Sequence, residues 1–509
     1  MNPDRLLTPK QMSQAEAASV DLGVSLDTLM ENAGAALAKE ISNTAAEIGA
    51  HSLLFLCGMG NNGGDGFVCA RLLAENMPWF EISICLVSGE PKTNLAKNAF
   101  SKLPESVRIC DTSNAEPESF DIIADCIFGT GFHGEFRDNL SDFLKAIGKT
   151  KACKIACDMP SGIDCLNGKT ADGTLRCDKT VTFHSKKLGM VLLPARELCG
   201  RVTVSDIYIP NGWEELLDDK TLTKELFASD LHKLMPVRSS YSHKGSFGKL
   251  LAICGSESYI GAAAICSRAA LHTGCGIVNL ASPKSVIASI AGFAPECVYT
   301  PLEADSNGFI SESDIPRLIS LANESSAVLV GCGIGQSGST QKLVSELIKN
   351  VEKPLIIDAD GINQLAKNID ILMDKNCEIA LTPHIGELAR LGGTDNASAA
   401  SERYALCREL VQKYDVIIHS KDASSVTFFK DKAYVTSFGC SALAKGGSGD
   451  MLAGIIGSLA AQGVDLSLSC CLGDYIMGRT AEILCEDFSA AAVTATDIID
   501  AFKRTLTAL

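Results

Sequence analysis

The sequence predicts an α/β protein built from two different domains. Its 509 residues exceed what a single hydrophobic core usually organises. Short apolar or β-branched runs alternate with longer stretches of helical character along most of the chain. This alternation is typical of mainly parallel sheets that are covered by helices on both faces. The two halves show no repeat of one another, so we expect each half to hold its own sheet.

The first half begins with residues 8–50, which have helical patterns. Strands are then expected at 52–57, 81–87, 121–128, 154–157, 179–183 and 201–205. The stretch 211–240 is rich in charge and lacks strand character. We therefore expect a first domain at 1–215, a linker at 216–238 and a second domain at 239–509.

The second half repeats the alternation with different spacing. Strands are expected at 249–254, 277–281, 327–330, 354–357, 378–381 and 416–419. Two further runs, 425–429 and 432–436, flank a turn at Lys430-Asp431 and predict a hairpin.

Composition narrows the class of protein. The net charge of −16 argues against nucleic acid or an anionic membrane as the main partner. No stretch reads as a transmembrane span, and the first five residues do not resemble a signal peptide, so a cytoplasmic protein is expected. The 21 cysteines lack paired metal-type spacing and are expected to be small core residues. A homo-oligomer is also expected.

The run 58–66 (GMGNNGGDG) follows the first predicted strand and opens a helix. It contains G-x-G-x-x-G, which is also found in dinucleotide-binding dehydrogenases. Those sites need an acid that closes the second strand, whereas here Glu90 lies beyond the strand end. Asn61, Asn62 and Asp65 add polar groups at the carboxyl end of a strand, where open α/β sheets bind ligands. A binding site is favoured over a solvated turn.

Further polar residues lie at neighbouring strand ends. Asp125 lies within a predicted strand, and Asp158 and Ser161 follow the next one. A charge inside an apolar strand is costly unless it meets a cation, a ligand or hydrogen-bond donors. Oxygens of Asn62, Asp125 and Ser161 could jointly hold a hard cation. The alternative is that Asp125 caps a neighbouring helix.

Near the end of the chain, four small residues (446–449) lead directly to Asp450 and an apolar, helix-compatible run. Small residues at a helix start let backbone N–H groups surround an anion. A carboxylate at such a place is suited to taking a proton from a hydroxyl that then attacks a bound phosphoryl group. The alternative is a glycine-rich helix start in which Asp450 is an ordinary first-turn acid.

Other second-half candidates also lie at predicted strand ends. Asp358-Ala359-Asp360 could hold Mg²⁺ indirectly or cap the next helix. His384 lies beside a proline turn, and Lys421 could reach a phosphate as a point charge. Glycine turns at 255–261 and 331–335 allow close approach of a ligand, although such turns are often plain connections.

In the first half, five motifs occur in order: LMENAG, GMGNNGGDG, FGTGF, DMPSGID and the TF…KLG segment at 182–189. Together they resemble the NAD(P)H-hydrate epimerase family across residues 8–212. The resemblance implies a Rossmann-like doubly wound parallel sheet, with potassium at Asn62, Asp125 and Ser161. Asp158 would contact the hydrated nicotinamide ring and perform acid–base catalysis. The residues that would contact the hydrated dinucleotide are Asn61, Asn62, Gly63, Gly64, Asp65, Gly129, Thr130, Gly131, Phe132, His133, Gly134, Glu135 and Asp158.

In the second half, HKG, DAD, TPHIGE and GGSGD occur in order over about 240–505. They resemble the ribokinase-like fold and, more narrowly, the NAD(P)H-hydrate dehydratases. The resemblance implies Mg²⁺ and ADP as co-substrate. Contacts with the hydrate are implied for Ala262, Gly333, His384 and Asp450, with Asp450 as the base. Contacts with the nucleotide are implied for Lys421, Asp422, Ala423, Ser424, Ser425 and Gly449. The family usually has Lys-Gly where this chain has Lys421-Asp422, and Asn-Pro-Gly-Met-Ala at 440–444, where this chain has CSALA.

The two resemblances imply a bifunctional repair enzyme. One domain would interconvert the R and S forms of NAD(P)H hydrate, and the other would dehydrate the S form with ADP, releasing AMP and phosphate. Two alternatives remain at this point. The second domain could be a kinase for a small vitamin-like alcohol, and the first could be a nucleotide-binding module without catalysis.

Overall fold

The computed structural model describes residues 4–137 and 139–507. The chain divides into two compact units, Met1–Lys224 and Glu225–Leu509. A short strand, Leu222–Glu225, lies where the units join in sequence. The expectation that 211–240 contains no strand is therefore wrong at this point. The assignment of separate activities to 1–215 and 239–509 stays a prediction.

The first unit begins with a short strand and two helices. Its strands are β1 (Arg5–Leu7), β2 (Ser52–Cys57), β3 (Glu81–Leu86), β4 (Arg108–Cys110), β5 (Ile122–Cys126), β6 (Cys153–Cys157), β7 (Lys179–Phe183), β8 (Lys186–Lys187), β9 (Arg201–Ser205) and β10 (Leu222–Glu225). Its helices are α1 (Pro9–Asp21), α2 (Leu26–Ile48), α3 (Asn61–Asn76), α4 (Asn94–Ser101) and α5 (Leu140–Gly148).

Seven strands of this unit form one sheet in the order β4-β3-β2-β5-β6-β7-β9. All its pairings are parallel. The chain turns back on itself after β4 and continues on the other side of β2, so the strand order reverses between β2 and β5. In open α/β sheets, ligands bind outside the carboxyl ends of the strands at such a reversal. The loops that begin at Gly58 and Ile127 both leave from this point.

Helix α2 begins at an N-cap serine and ends at Gly49, whose φ of +69° is a left-handed conformation that glycine adopts without strain. The helix packs on α3 at close range, since a Cβ on Gly34 would lie 2.5 Å from a methyl carbon of Val68. The apolar faces of both helices belong to one buried cluster with alternate residues of β2. This packing fixes the start of α3, and hence Asn61 and Asn62, against the sheet.

The second unit is built mainly of strand–helix repeats. Its strands are β11 (Lys249–Ile253), β12 (Ile277–Pro283), β13 (Val298–Leu302), β14 (Ala327–Val330), β15 (Leu355–Ile357), β16 (Ile379–Leu381), β17 (Ile417–Ser420), β18 (Ser425–Phe429) and β19 (Lys432–Thr436). Its helices are α6 (Ala228–Leu231), α7 (Ile260–His272), α8 (Lys284–Ile290), α9 (Ile315–Asn323), α10 (Gly338–Asn350), α11 (Asp360–Leu365), α12 (Ile385–Gly392), α13 (Asn396–Ser401), α14 (Arg403–Tyr414), α15 (Ser448–Ala461), α16 (Leu466–Asp487) and α17 (Ala495–Thr507).

The sheet of this unit runs β13-β12-β11-β14-β15-β16-β17-β18-β19. Strands β11–β17 are parallel, and β18 and β19 form the predicted antiparallel hairpin. Here the strand order reverses between β11 and β14. Helix α15 is buried on almost every face and packs on α7, which places its N-terminus at the carboxyl edge of the sheet.

The predicted α/β class, with a doubly wound parallel sheet in the first unit and a second, different α/β unit after it, is confirmed. The strands that sequence patterns missed are short or lie at sheet edges, and β4 and β13 expose part of their residues. Edge strands lack the continuous apolar run that marks a strand buried on both faces. Within residues 4–137 and 139–507, no helix combines the length and the apolar character needed to cross a bilayer.

Candidate functional site

A cavity of about 410 Å³ lies at the carboxyl ends of β2, β5 and β6, where the strand order of the first unit reverses. The predicted substrate-binding residues that line it are Asn61, Asn62, Asp65, Gly129, Thr130, Gly131, Phe132 and Asp158. Apolar side chains of α1 and α2, including Met12 and Leu29, line it as well. The cavity therefore combines apolar walls with a few polar groups, as small-molecule sites usually do.

Gly63 and Gly64, which belong to the run 58–66, do not line this cavity but pack closely against neighbouring residues. A Cβ on Gly63 would lie 2.1 Å from the carbonyl oxygen of Gly58, and one on Gly64 would lie 2.6 Å from Met30 Cε. Side chains at these positions would push α3 away from the turn and from α2. Their contribution to a site is that they let Asn61 and Asn62 come close to the strand ends.

Three other predicted substrate contacts of the first half, His133, Gly134 and Glu135, do not line this cavity. Gly134 and Glu135 line a separate cavity of about 310 Å³. His133 is exposed, and its Nδ1 lies 3.0 Å from Asp164 Oδ2. The structure therefore does not bring His133, Gly134 and Glu135 together with the residues around Asp158.

Asp158 is held in a strained conformation at the floor of the larger cavity. Its φ is +63°, a left-handed value that is unfavourable for a non-glycine residue and is often found at functional sites. Its Oδ1 accepts hydrogen bonds from Lys187 Nζ and, at 3.1 Å, from Thr182 Oγ1. A Cβ on Gly129 would lie 3.2 Å from Oδ2, so this second oxygen faces the cavity wall formed by Gly129.

Two further carboxyl groups lie near Asp158. Burial, followed by the charge of Asp158, raises the pKa of Glu16 to about 7. Burial and the charges of Asp158 and Glu16 raise the pKa of Asp65 well above its usual value, while Lys187 opposes these shifts. Three acids that share one cation keep at least one proton near neutral pH. Such a cluster can both donate and accept a proton.

Sequence reasoning missed Glu16 and did not assign a role to Lys187. Glu16 lies on α1, and nothing in its helical pattern distinguishes it from a solvent-facing acid. Lys187 is fully buried, and its Nζ also donates to Thr182 Oγ1 at 2.8 Å. A lysine within an otherwise apolar KLG segment was the available signal, because a buried ammonium group requires an anionic partner.

Asp125 and Ser161 form a tight pair at the ends of β5 and β6. Ser161 Oγ donates to Asp125 Oδ1 at 2.5 Å, and the Ser161 amide donates to Oδ2 at 2.7 Å. Burial raises the pKa of Asp125, and these hydrogen bonds oppose the shift. Within the described residues this buried carboxylate has no cationic partner. Asn62 Oδ1 lies near Gly129, and its Nδ2 is buried without a hydrogen bond.

The second unit has a buried ion pair at its carboxyl sheet edge. Lys421 Nζ, just after β17, donates to Asp358 Oδ1 at 2.6 Å. Asp358 follows β15, and the same oxygen accepts from Thr382 Oγ1, after β16, at 2.7 Å. Burial lowers the pKa of Lys421, but the nearby carboxylates of Asp358 and Glu387 outweigh burial and raise it overall. Three adjacent strand ends therefore converge on one carboxylate.

Asp450 lies in the first turn of α15, which begins at Ser448. Gly447 before it has a φ of +91°, a conformation that favours glycine, and Lys445 Nζ donates to the carbonyls of Ala490 and Ala491. Burial, and then the charge of Asp358, raise the pKa of Asp450 to about 6. A helix start also leaves backbone N–H groups without helical partners. The turn is thus able to hold an anion beside a carboxylate that accepts protons near neutral pH.

Gly449 connects this turn to the ion pair. A Cβ on Gly449 would lie 3.6 Å from Lys421 Nζ. The ammonium group and the helix start therefore face the same small space. A phosphate held there would meet a cation and the amides of one helix N-terminus.

His384 and Asp360, at neighbouring strand ends, have local roles. His384 Nδ1 accepts the Gly386 amide at 2.9 Å and caps α12, while its own amide donates to Glu387 Oε2 at 3.0 Å. Asp360 Oδ2 accepts the Gly335 amide at 2.9 Å, and Oδ1 accepts from Gln336 Nε2 at 3.2 Å. The His384 ring is more than half exposed, so it remains able to meet a ligand.

Ala262 and Gly333 lie against one another where α7 begins. A Cβ on Gly333 would lie 2.8 Å from the Ala262 Cβ, and its φ of +64° also favours glycine. The thiol of Cys332, the preceding residue, donates to Asp358 Oδ2 at 3.8 Å and lowers the pKa of Asp450. The loop after β14 therefore brings Gly333 to the side of Asp450.

The turn 421–425 is held by Arg403 of α14. Arg403 Nη1 donates to Asp422 Oδ2 at 2.7 Å, and Nη2 donates to the Ser424 carbonyl at 2.5 Å. Ser425 Oγ donates to the Asp422 carbonyl at 3.1 Å. Asp422 and Ala423 are the exposed residues of this turn. Asp422 thus anchors the turn through an ion pair.

Comparison with known proteins gives consistent matches for both units. Residues 26–189 match the family described as YjeF-related protein N-terminus, and residues 250–504 match the family described as NAD(P)H-hydrate dehydratase. A bifunctional NAD(P)H-hydrate repair enzyme of Thermofilum pendens is 32% identical over 498 residues, covering 96% of this chain and 93% of its own. Its counterpart in Escherichia coli is 32% identical over 496 residues, with 96% and 91% covered.

Among solved structures, the ADP/ATP-dependent NAD(P)H-hydrate dehydratase of Bacillus subtilis, co-crystallised with ATP and Mg²⁺, aligns with a TM-score of 0.48 at 27% identity. The alignment covers 55% of this chain and 96% of that one. The matches of the two family models and the nearly full-length relatives confirm the family resemblance that the motifs of both halves indicate. The chain belongs to the family of bifunctional NAD(P)H-hydrate repair enzymes.

Proposed function

We propose that the protein repairs hydrated nicotinamide dinucleotides in two steps. The first unit interconverts the R and S forms of NAD(P)H hydrate. The second unit dehydrates the S form with ADP and releases NAD(P)H, AMP and phosphate. The observation that carries the proposal is Asp450, a carboxylate with a pKa of about 6 in the first turn of a glycine-rich helix start, next to Lys421. Family membership supports the same pair of reactions.

In the dehydration step, Asp450 accepts the proton of the ring hydroxyl. The hydroxyl oxygen then attacks the terminal phosphoryl group of ADP, and the bond between this group and AMP breaks. Amides at the start of α15 and Lys421 stabilise the negative charge on the phosphoryl oxygens. The ring nitrogen's electron pair then expels phosphate together with the former hydroxyl oxygen. The departing phosphate takes a proton from the adjacent ring carbon, which restores the double bond.

Asp450 is suited to this role because its pKa lies close to neutral pH. A base transfers protons most effectively when its pKa is near the working pH. At pH 7 a carboxyl group with a pKa of about 6 is mostly ionised, yet it binds a proton far better than an ordinary aspartate. Burial and the neighbouring Asp358 supply this shift.

Mg²⁺ is expected for ADP chemistry, but Asp358 and Asp360 do not form a ready-made site for it. Asp358 Oδ1 is occupied by Lys421 and Thr382, and both oxygens of Asp360 accept hydrogen bonds. Protein-bound Mg²⁺ usually reaches an enzyme on nucleotide phosphates with several waters. This arrangement fits an ion that arrives with ADP better than one held by the two aspartates.

In the epimerisation step, a bond at the hydrated carbon must break and form again on the other face. This requires a group that alternately gives and accepts a proton. Asp158 faces the cavity, and Glu16 and Asp65 around it keep a proton near neutrality. Lys187 holds Asp158 Oδ1, so Oδ2 is the oxygen that is directed toward substrate.

Potassium is proposed at Asn62, Asp125 and Ser161. The donor set fits a hard cation, because it offers carboxylate, hydroxyl and amide oxygens and because Asp125 is buried with neutral donors as partners. A bound cation would supply the positive charge that offsets Asp125. The chain's own contribution is to hold the turn 127–132 through Ser161, whose Oγ accepts the Phe128 amide at 2.9 Å.

Activity on the hydrates tests the proposal directly. The full-length protein is incubated with a mixture of R and S NADH hydrate, ADP, Mg²⁺ and potassium, and absorbance of NADH is followed. We expect complete recovery with one ADP consumed per ring. Recovery of only the S fraction would contradict the epimerase assignment, and phosphorylation of a vitamin alcohol with no recovery would favour the kinase alternative.

The remaining expectations are also proposals. We infer that each activity belongs to one unit, with a boundary region at 216–238, and that the protein acts in the cytoplasm as a homo-oligomer. The net charge of −16 supports a small-molecule enzyme over a nucleic-acid or membrane partner. Sedimentation of the purified protein measures the oligomeric state.

A further inference from the structure

Three thiols meet beneath the carboxyl edge of the second sheet. Cys254 follows β11, Cys266 lies on α7, and Cys332 lies on the loop after β14. All three are fully buried, and their sulfur atoms lie within 4.8 Å of one another. They are the single group of this kind among the His, Cys, Asp and Glu side chains of residues 4–137 and 139–507. The residues are far apart in sequence, which explains why cysteine spacing gave no sign of them.

The sulfur spacing fits a metal centre. Zinc binds cysteine sulfur at about 2.3 Å in a tetrahedron, so two sulfurs on the same ion lie about 3.8 Å apart. The Sγ atoms of Cys254 and Cys266 are 3.7 Å apart. A disulfide would need a separation of about 2.0 Å. The pair therefore has the spacing of two metal ligands without movement of the backbone.

A carboxylate lies next to one of the three thiols. Asp358 Oδ1 is engaged by Lys421 and Thr382, but Oδ2 points to the cluster, with Cys332 Sγ at 3.8 Å. Asp358 is not among the ligand atoms that lie within 4.8 Å of one another, so this oxygen would have to move toward the ion to reach the roughly 2.0–2.2 Å at which a carboxylate binds zinc. Lys421 and Thr382 would then be the outer partners that orient the carboxylate, as is usual for metal-binding carboxylates.

The position of the cluster also favours a ligand. Cys254 and Cys332 follow β11 and β14, the two strands between which the sheet order reverses. Asp450, which is half-buried, lies close enough to the Cys332 thiol for this thiol to lower its pKa.

We propose that Cys254, Cys266, Cys332 and Asp358 form a binding site for a thiophilic divalent ion of the zinc type. Binding releases the three thiol protons, and the ion gains three thiolates and one carboxylate. The site is distinct from the potassium and Mg²⁺ sites because those ions prefer oxygen ligands. It does not depend on the proposed repair reactions, although an ion here would remove the thiol proton that Cys332 donates to Asp358 Oδ2.

Cobalt substitution tests the site without any turnover. The full-length protein, reduced and stripped of metal, is titrated with Co²⁺ under anaerobic conditions. We expect one Co²⁺ per chain with sulfur-to-metal charge-transfer absorption and the intense visible bands of tetrahedral coordination, and displacement by one Zn²⁺. X-ray absorption of the zinc form should show sulfur at about 2.3 Å.

Matched variants locate the ion among the 21 cysteines of the chain. Cys266→Ala and Cys332→Ala should each weaken binding by more than ~100-fold, beyond the loss usual for an outer partner. Cys407→Ala, a buried cysteine of α14 outside the cluster, should leave it unchanged. A cooperative thermal unfolding transition shows that each metal-free variant is folded. If Cys266→Ala, on α7, does not fold, Cys332→Ala, on the loop after β14, provides the test. Absence of tetrahedral absorption in the wild type, or equal binding in the cluster variants and Cys407→Ala, would overturn the proposal.

Discussion

Lys421 Nζ lies 2.6 Å from Asp358 Oδ1, although the two residues are 63 positions apart in the sequence. The carboxylate is almost fully buried, and 17% of the lysine side chain is exposed. Breaking such a pair by removing one partner usually costs about 3–5 kcal/mol, because a charge is left buried. The pair thus fixes the ammonium group beside Gly449 and at the same time sets the electrostatic environment of Asp450.

The first prediction concerns the pH dependence of dehydration. Asp450 acts as a base, so the rate should fall as the pH drops through its pKa of about 6. Asp358 raises this pKa, so Asp358→Asn should move the acidic limb of the pH–rate profile to lower pH. In this variant Lys421 has lost its carboxylate partner, and its positive charge also lowers the pKa of Asp450. The measurement is kcat against pH at saturating ADP.

Asp360→Asn provides a graded control for that shift. Asp360 raises the pKa of Asp450 less than Asp358 does. Its variant should therefore move the limb in the same direction by a smaller amount. An unchanged limb in Asp358→Asn, or a shift to higher pH, would contradict the electrostatic coupling.

The second prediction is that Asp450→Asn lowers dehydration by about 10²–10⁴-fold, the usual contribution of a positioned acid–base group. The amide keeps the size of the side chain but cannot accept the proton. ADP affinity should stay the same or improve slightly, because a negative charge near the phosphates is lost. Turnover of S NADH hydrate and ADP binding by calorimetry measure the two effects.

Substitutions at Gly449 separate the base from the phosphate site. A Cβ at this position has room, since its nearest neighbour, Lys421 Nζ, is 3.6 Å away. Gly449→Ala should bind ADP almost normally, whereas the branched side chain of Gly449→Val should crowd Lys421 and weaken ADP binding.

If Asp450→Asn turns over normally, the base is another residue, and Asp360 is the next one to test.

The third prediction concerns epimerisation. Asp158→Asn should lower interconversion of the R and S hydrates by about 10²–10⁴-fold. Dehydration of pure S hydrate should be unaffected, and this is the internal control. Lys187→Met should shift the pH profile of epimerisation upward, because Lys187 lowers the pKa values of Glu16 and Asp65. The neighbouring variant Lys186→Met should leave the profile in place.

The fourth prediction concerns Asp422, at which the family usually has glycine. Its carboxylate adds a negative charge to the turn proposed to bind ADP and forms an ion pair with Arg403. Asp422→Gly should tighten ADP binding, because it removes this negative charge. The effect should be only a few-fold, because solvent screens a half-exposed charge. Affinity for uncharged adenosine should not change. A loss of affinity for both ligands would mean that the ion pair is needed to shape the turn.

The fifth prediction tests the cation at Asp125. Potassium should raise the melting temperature of the wild type relative to choline at equal ionic strength, because an ion that binds only the folded state stabilises it. Asp125→Asn should abolish this difference, and Ser161→Ala should reduce it. Equal potassium effects in wild type and Asp125→Asn would place the ion elsewhere.

Local patterns in the sequence determined the architecture of each unit. Buried strands read as apolar runs because both faces of a parallel sheet are covered, and small residues mark the turns at 58–66 and 446–449 for steric reasons that act within a few residues. For the same reason, the sequence located Asp125, Asp158, Lys421 and Asp450 at strand or helix ends. Short edge strands such as β4 and β13 lack that pattern and were not predicted.

Only the tertiary structure decided how these groups interact. Lys187 with Asp158, Lys421 with Asp358, and Cys254 with Cys266 and Cys332 are brought together by strand order, which no local pattern encodes. Glu16 reaches the first cavity because α1 packs over it, and burial there raises its pKa to about 7. Desolvation and the distances between charges exist only in the packed molecule. They set the proton affinities and the metal-binding capacity of these residues, whereas the sequence gives only which residue stands at each position.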